Sequence, residues 1–150
     1  MELYLREVEK NDMDLLFEWV NDPEVRNNAF NSEMIPYENH VKWFEIMYQR
    51  KDVYMFIMCN EDNTPIGQIR LNAEGENAII DYSIDGDIRG MGFGANMLWL
   101  VIEKIQKEIP EIKRLVGQVK HENAASARAF EKCGFFMEEK EDYIEYFIEV

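Results

Sequence analysis

Residues 78–95 read AIIDYSIDGDIRGMGFGA, and no other stretch narrows the fold as much. An apolar strand pattern runs through a short turn into three closely spaced glycines, then into a long amphipathic segment. Glycines at such a junction let backbone amides approach a ligand with no Cβ in the way. The first turn of the following helix leaves its N–H groups unpaired and carries the positive end of the helix dipole. Strand, glycine turn and helix N-terminus together make a site for phosphate or pyrophosphate, here over Arg89, Gly90, Met91, Gly92, Phe93 and Gly94. The competing reading is a glycine-bearing connector without a ligand. Two familiar phosphate loops are excluded. There is no Gly-x-x-x-x-Gly-Lys-Ser/Thr, and a dinucleotide loop spaces its glycines differently inside a βαβ repeat.

The rest of the chain supplies a sheet and helices around that junction. Residues 3–8 alternate partially and read as a first strand. Asn11 or Asp12 is placed to cap a helix with Met13, Leu16, Phe17 and Val20 on its apolar face, ended by Asn21-Asp22-Pro23. Residues 24–28 fit one further turn, and 29–35 a polar surface loop. Pro36 opens a second helix to about residue 50, with Val41, Phe44, Ile46, Met47 and Tyr48 as a broad apolar face. Residues 53–58, 65–71 and 78–84 form a three-stranded meander separated by two polar turns. A helix follows from Phe93 to Glu108, with Leu98, Val101, Ile102 and Ile105 at helical spacing. Then come a strand at 114–119, a helix at 124–132 capped by Asn123 and ended by Gly134, and a terminal hairpin turning near 139–142. The order predicts an α/β (α+β) fold: a mixed, mostly antiparallel sheet of six to seven strands with helices on both faces.

The length of 150 residues suits one domain, 1–150, with a sizeable core. No apolar run approaches the ~20 residues of a membrane span. A basic segment leading into an apolar stretch is absent from the N-terminus, so no signal peptide is expected. Cys59 and Cys133 stand alone, which points to reduced thiols in a cytoplasmic protein and to no metal site. The formal charge of −14 argues against nucleic-acid or anionic-membrane partners. It also requires any anionic cofactor to be held by local amides and a few cations.

Arg89-Gly90-Met91-Gly92-Phe93-Gly94 resembles the acyl-CoA signature Arg/Gln-x-x-Gly-x-Gly/Ala of the GNAT family, the Gcn5-related N-acetyltransferases. A second stretch, Asn123-Ala124-Ala125-Ser126-Ala127-Arg128-Ala129-Phe130-Glu131-Lys132-Cys133-Gly134-Phe135, is similar to that family's Asn-x-x-Ser-x-x-x-Tyr-Glu-Lys-x-Gly-Phe. The resemblance implies a GNAT fold whose sheet splays between strands 4 and 5, and acetyl-CoA as co-substrate. It places the CoA pyrophosphate on the amides of residues 90–95, Ala95 included. The pantetheine arm runs along Tyr82, Ser83 and Ile84 as an added strand. The Ile84 N–H is the implied oxyanion donor. Asn123, Ser126 and Phe130 border the arm, and Arg128 and Lys132 are near enough in sequence to reach a 3′-phosphate or to balance Glu131.

The N-terminal segments narrow the resemblance. Glu18 to Arg26, Asn31-Ser32-Glu33 and His40-Val41-Lys42-Trp43-Phe44 look like the branch that acetylates the 4-amino group of UDP-linked amino-deoxy sugars for pseudaminic acid-type surface glycans. Ile66-Gly67-Gln68-Ile69-Arg70-Leu71 is also similar. On that reading Arg26, Phe30, His40, Trp43, Arg70 and Tyr82 face the acceptor. A sibling branch that acetylates ribosomal-protein N-termini shares part of the pattern. Two departures stand out. Phe130 replaces the Tyr that many members use as general acid, and Gln118 replaces a Glu that several use as base. Replacement bases are His40, Asp81, Tyr82, Glu122 and His121, with His40 first because imidazole titrates near neutrality. The departures also leave open a silent acyl-CoA-binding module. Exposed edges of the last strands leave room for a homodimer.

Overall fold

The computed structural model describes residues 2–150. Seven strands form one sheet: β1 (Leu3–Glu7), β2 (Val53–Asn60), β3 (Pro65–Glu74), β4 (Asn77–Ile84), β5 (Arg114–Val119), β6 (Phe136–Glu139) and β7 (Ile144–Glu149). Their spatial order is β1-β2-β3-β4-β5-β7-β6. Every neighbouring pair is antiparallel except β4 and β5. The helices are α1 (Met13–Val20), α2 (Pro23–Asn28), α3 (Tyr37–Gln49), α4 (Phe93–Glu108) and α5 (Ala124–Lys132). This is the mixed, mostly antiparallel sheet with two helical layers that the sequence pattern predicts.

Strand parity divides the core. In β2, Phe56 and Met58 face one side, packed with Met97, Leu98, Val101 and Ile105 of α4 and Ala129 and Phe130 of α5. Ile57 and Cys59 face the other, packed with Leu16 and Trp19 of α1 and Phe44 of α3. Because successive strand residues point to opposite faces, a continuous apolar run such as 53–59 serves both layers. Each large side chain buried this way contributes roughly 1.5–3 kcal/mol.

Two local expectations differ from the structure. Asp12 does not cap α1 with its side chain. Its carboxylate turns back to the Glu9 N–H at 2.7 Å and to Arg6 at 2.8 Å, tying β1 to the turn before α1. In α3 the buried residues are His40 and Phe44, whereas Ile46 and Tyr48 lie exposed. The apolar positions of that helix outnumber those one face can hold, so periodicity alone did not choose among them.

The feature that positions the site is where β4 and β5 part. They pair in register from Asn77↔Arg114 to Ile80↔Gly117 and no further. From Asp81 onward β4 stays paired only with β3, out to Gly67↔Ile84. The sheet therefore splays, with residues 81–84 on one arm and Gln118 and Val119 on the other.

Candidate active site

The splay opens a cleft of about 1160 Å³ lined by β4, β5, the start of α4, α5, and the helices α1 to α3. Its β4 wall presents the backbone groups of Tyr82 and the Ile84 N–H, while Arg89 takes the Ile84 carbonyl. The Asp85 N–H donates to Ile66 O at 2.8 Å, which fixes the alternation: residues 81, 83 and 85 turn their peptide groups to β3. Tyr82 and Ile84 thus turn theirs away from β3, into the space that β5 has vacated. The side chains alternate too. Tyr82 and Ile84 pack against the α4/α5 core, and Asp81 and Ser83 lie on the α3 face.

At the end of β4, a short turn leads to the glycines. Gly90 and Gly92 have φ of +85° and +81°, a region that L side chains enter only at a cost, and a Cβ on either would meet open space. Gly92 is the residue before the first turn of α4, and no side chain caps that end. The amides of Phe93, Gly94 and Ala95 begin the helix with no intrahelical acceptor. Gly94 is needed for a different reason: a Cβ there would lie 3.3 Å from the Tyr82 ring and 3.4 Å from Ala129. The helix end is thereby drawn close to β4 and α5.

Tyr82 and α5 close that corner. The Tyr82 hydroxyl and Ser126 Oγ are 3.0 Å apart. Burial pushes the Tyr82 phenol up to about 12, against a smaller opposing effect of the Ser126 hydrogen bond, so it keeps its proton at neutral pH. Asn123 caps α5, its Oδ1 accepting from the Ser126 N–H at 3.2 Å. Phe130 is buried, stacked on Tyr146 at 5.1 Å and edge-on to Tyr82 at 5.9 Å. Its para carbon would lie 2.4 Å from a Cβ at Gly117, so the ring tip fills the space where β5 lacks a side chain. Cys133 is buried behind this corner, its thiol donating to Ala95 O at 3.3 Å and pushed up to about 11 by burial. Arg128 and Lys132 border the cleft on the same helix.

Arg89, Arg26 and Arg70, which sequence reasoning assigned to the ligands, are engaged within the protein. Arg89 pairs with Glu24 and with Asp22 at 3.2 Å, and donates to Ile84 O at 3.1 Å. It joins the start of α2 to the end of β4. Arg26 donates to Val20 O at 2.7 Å and to Asn31 O and Glu33 O at 3.1 Å each, shaping the 29–35 loop. Arg70 lies 5.0 Å over the Trp43 ring and 3.3 Å from Asp81.

His40 is buried among Phe17, Trp43 and Phe44. Its Nε2 sits 2.9 Å from Met13 O, and a carbonyl only accepts, so that nitrogen carries the proton. Phe30 borders the cleft, is largely exposed and meets Tyr143 edge-on at 6.0 Å. Nearby, Lys120 donates to Asn27 O at 3.0 Å. His121 and Glu122 are exposed in the turn before α5, with the His121 ring 3.3 Å from Glu141 O. Among the described residues, no group of three or more His, Cys, Asp or Glu side chains is placed to hold a metal ion. Among the described residues, no helix is long and apolar enough to cross a membrane.

Sequence reasoning gave Gln68 no role, and for the buried Trp19 it gave packing but not its hydrogen bond. Gln68 Nε2 donates to Ser83 Oγ at 3.2 Å on the α3 face. Trp19 Nε1 donates to Asp85 Oδ2 at 3.0 Å, fastening α1 to the turn before the glycines. The strict alternation Gln68, Arg70, Asn72 in β3 carried the signal for the first, since it puts three polar side chains on one face of an internal strand.

A splayed sheet beside a glycine-opened helix start is the architecture of an acyl-CoA-dependent transferase. The profile of the acetyltransferase (GNAT) domain matches residues 2–136, and the chain belongs to that family. It is an acetyl-CoA-dependent N-acetyltransferase. No curated protein matches it in sequence. Solved structures match in fold. A spermidine N-acetyltransferase from Vibrio cholerae, in complex with CoA and spermine, superposes with a TM-score of 0.88 at 17% identity, over 98% of this chain and 95% of that one. A domain from Methanocaldococcus jannaschii gives 0.86 at 22% identity, over 99% of each chain. An aminoglycoside acetyltransferase in complex with coenzyme A gives 0.84 at 16% identity, over 99% and 95%.

Proposed function

We propose that this protein transfers acetyl from acetyl-CoA directly to the primary amine of a small molecule in the splayed cleft. The pyrophosphate lies on the amides of residues 90–95, and the pantetheine arm adds as a strand along residues 82–84. The observation that carries this reading is the alternation in β4, which turns the peptide groups of Tyr82 and Ile84 into the space left by β5. The Ile84 N–H then polarises the thioester carbonyl and stabilises the oxyanion. The amine nitrogen attacks the carbonyl carbon, the C–S bond breaks, and CoA departs as thiolate. The amine's proton leaves to solvent in the cleft, which the exposed Glu122 borders. The buried Cys133 has its thiol held protonated, which fits transfer without an acyl-enzyme.

Phe130 has no hydroxyl for the departing thiolate. Tyr82 and Ser126 bring two hydroxyls to the same wall, and one bond between them uses only one of the two protons. The other is free to donate toward the sulfur. His40 acts through packing: its ring stacks on Trp43 at 5.6 Å and helps set the acceptor wall. The vacant customary Tyr and Glu do not require a silent module, because positioning alone supplies up to roughly 7–11 kcal/mol of a barrier.

The UDP-linked 4-amino sugar suggested by the N-terminal segments is the second reading. The engagement of Arg26 and Arg70 within the protein weighs against it, since the diphosphate needs cations. The structures similar in fold include enzymes named for spermidine and aminoglycosides, which are phosphate-free amines. Release of free thiol from acetyl-CoA, measured with spermidine, a UDP-4-amino sugar and an N-terminal peptide, separates these acceptors. Binding of acetyl-CoA without turnover of any amine would instead leave a binding module.

A further inference from the structure

On the acceptor side of the cleft, β3 and β4 carry two polar rungs. Gln68 and Ser83 are directly opposite in register, and Arg70 and Asp81 are the next pair on the same face. The first rung is closed by the 3.2 Å bond from Gln68 Nε2 to Ser83 Oγ, the second by the 3.3 Å ion pair of Arg70 with Asp81. Trp43 covers Arg70 from α3. All four polar residues border the cleft, and Ser83 is the immediate neighbour of Ile84.

We infer that these two rungs are the acceptor-binding floor, and that they select a phosphate-free amine bearing further ammonium or hydroxyl groups. This deepens the function proposed above and rests on its placement of the thioester at Ile84.

Hydrogen-bonding capacity supports the assignment. Gln68 uses one amide N–H on Ser83, while its Oε1 receives no hydrogen bond from the described residues. The Ser83 hydroxyl accepts that bond and still has its proton to give. The Asp81 side chain is 56% exposed, so one pair with Arg70 does not use up its four lone-pair sites. Toward the cleft the floor therefore offers two acceptors, one hydroxyl and the second Gln68 amide N–H. An ammonium or sugar hydroxyl satisfies the two acceptors, whereas a phosphate would face the Asp81 carboxylate with no free cation beside it among the described residues. Arg70, the one cation of the floor, is already held by Asp81, Asn72 and Trp43. The chain's charge of −14 acts in the same direction, drawing a cationic acceptor in and opposing an anionic one.

The rungs are positioning groups, so the test reads KM for the acceptor separately from KM for acetyl-CoA. The probes are spermidine and a UDP-4-amino sugar, each with acetyl-CoA, on the full chain. With spermidine, Asp81→Asn and Gln68→Leu are expected to raise the acceptor KM about tenfold to a hundredfold, the range for lost hydrogen bonds to a charged group. The KM for acetyl-CoA stays within about twofold, since the floor faces away from the α4 amides. Gln68→Glu, which keeps the acceptor oxygens, is expected to restore spermidine affinity. Calorimetric binding of CoA by each variant shows that it has folded. Unchanged acceptor KM in variants that bind CoA overturns the floor, and so does turnover of the UDP sugar with none of spermidine. A wild-type chain that binds no CoA brings down the parent reading first, and is distinguished by that binding measurement.

Discussion

The two sides of the cleft are built differently. The side proposed for the cofactor is mostly backbone: the peptide groups of Tyr82, the Ile84 N–H, and the amides that follow Gly90 and Gly92. The side proposed for the acceptor is mostly side chain, with Gln68, Arg70, Asp81 and Ser83 from two strands, Trp43 and His40 from α3, and Phe30 from a loop lining the cleft. A backbone site needs glycines at fixed places and tolerates almost nothing else there, whereas a side-chain site can be rebuilt one residue at a time. On the proposed reading, one half fixes the chemistry and the other sets which amine is used.

That contrast is broken or sharpened by substitution. The largest effect is expected from Gly117→Ala at the point of the splay. Its Cβ would lie 2.4 Å from the buried Phe130 ring, so the ring or the strand must move. Overpacking of this kind typically costs about 1–3 kcal/mol. Thermal unfolding should show it, with CoA affinity falling alongside because α5 shifts with Phe130. A melting temperature equal to wild type would mean the corner is looser than its contacts indicate.

Next comes Gly92→Ala. At φ of +81° an L side chain costs roughly 1–2 kcal/mol, which the loop relieves by changing its backbone and losing the amide array. Acetyl-CoA affinity should fall about tenfold or more while the acceptor KM hardly changes. The fold should survive, because nothing lies within 4 Å of the added Cβ.

Tyr82→Phe is expected to be milder: kcat falls about threefold to tenfold, the scale of one hydrogen bond of roughly 1 kcal/mol, with acetyl-CoA KM nearly unchanged. With the phenol at about 12, raised above its ordinary value, the hydroxyl is protonated and at full effect through neutral and mildly alkaline pH. Its contribution to the rate is lost only as pH rises through the folded value of about 12. The wild-type to variant rate ratio should thus be flat from about pH 6 to pH 9. A ratio that titrates in that window would assign the proton to another group.

The smallest change is expected in the pH–rate profile of His40→Gln. His40 donates from Nε2 to Met13 O inside an aromatic cage, and the variant retains a side-chain amide for that carbonyl. The profile should keep its shape, and loss of its acidic limb would restore His40 as the base.

The same contrast explains what the sequence made legible. Strand and helix order followed from periodicity, because amphipathic segments such as Phe93–Glu108 and strands such as Val53–Asn60 carry their own signal. The glycine turn was legible for a related reason: positive φ at Gly90 and Gly92 restricts residue type locally. The acceptor side was less so. Arg89 reads as a phosphate ligand in the motif, yet it binds Asp22 and Glu24, residues more than sixty positions earlier. Arg26 likewise reads as a nucleotide contact, and the carbonyls it holds are set by the path of the 29–35 loop. Charge partners across the chain have no period, so only the folded structure assigns them. His40 shows the limit from the other direction. Its residue type suits a base, and its burial against Met13 O gives it a packing task.

The central claim is that main-chain donors at the splay and the α4 start hold the diphosphate and arm of acetyl-CoA. Isothermal titration of acetyl-CoA into the wild-type chain, Gly92→Ala and Asp81→Asn tests it most directly. The account predicts saturable binding to the wild type, equal binding to Asp81→Asn, and at least about tenfold weaker binding to Gly92→Ala. Equal affinity in all three, or no heat with the wild type, would contradict it.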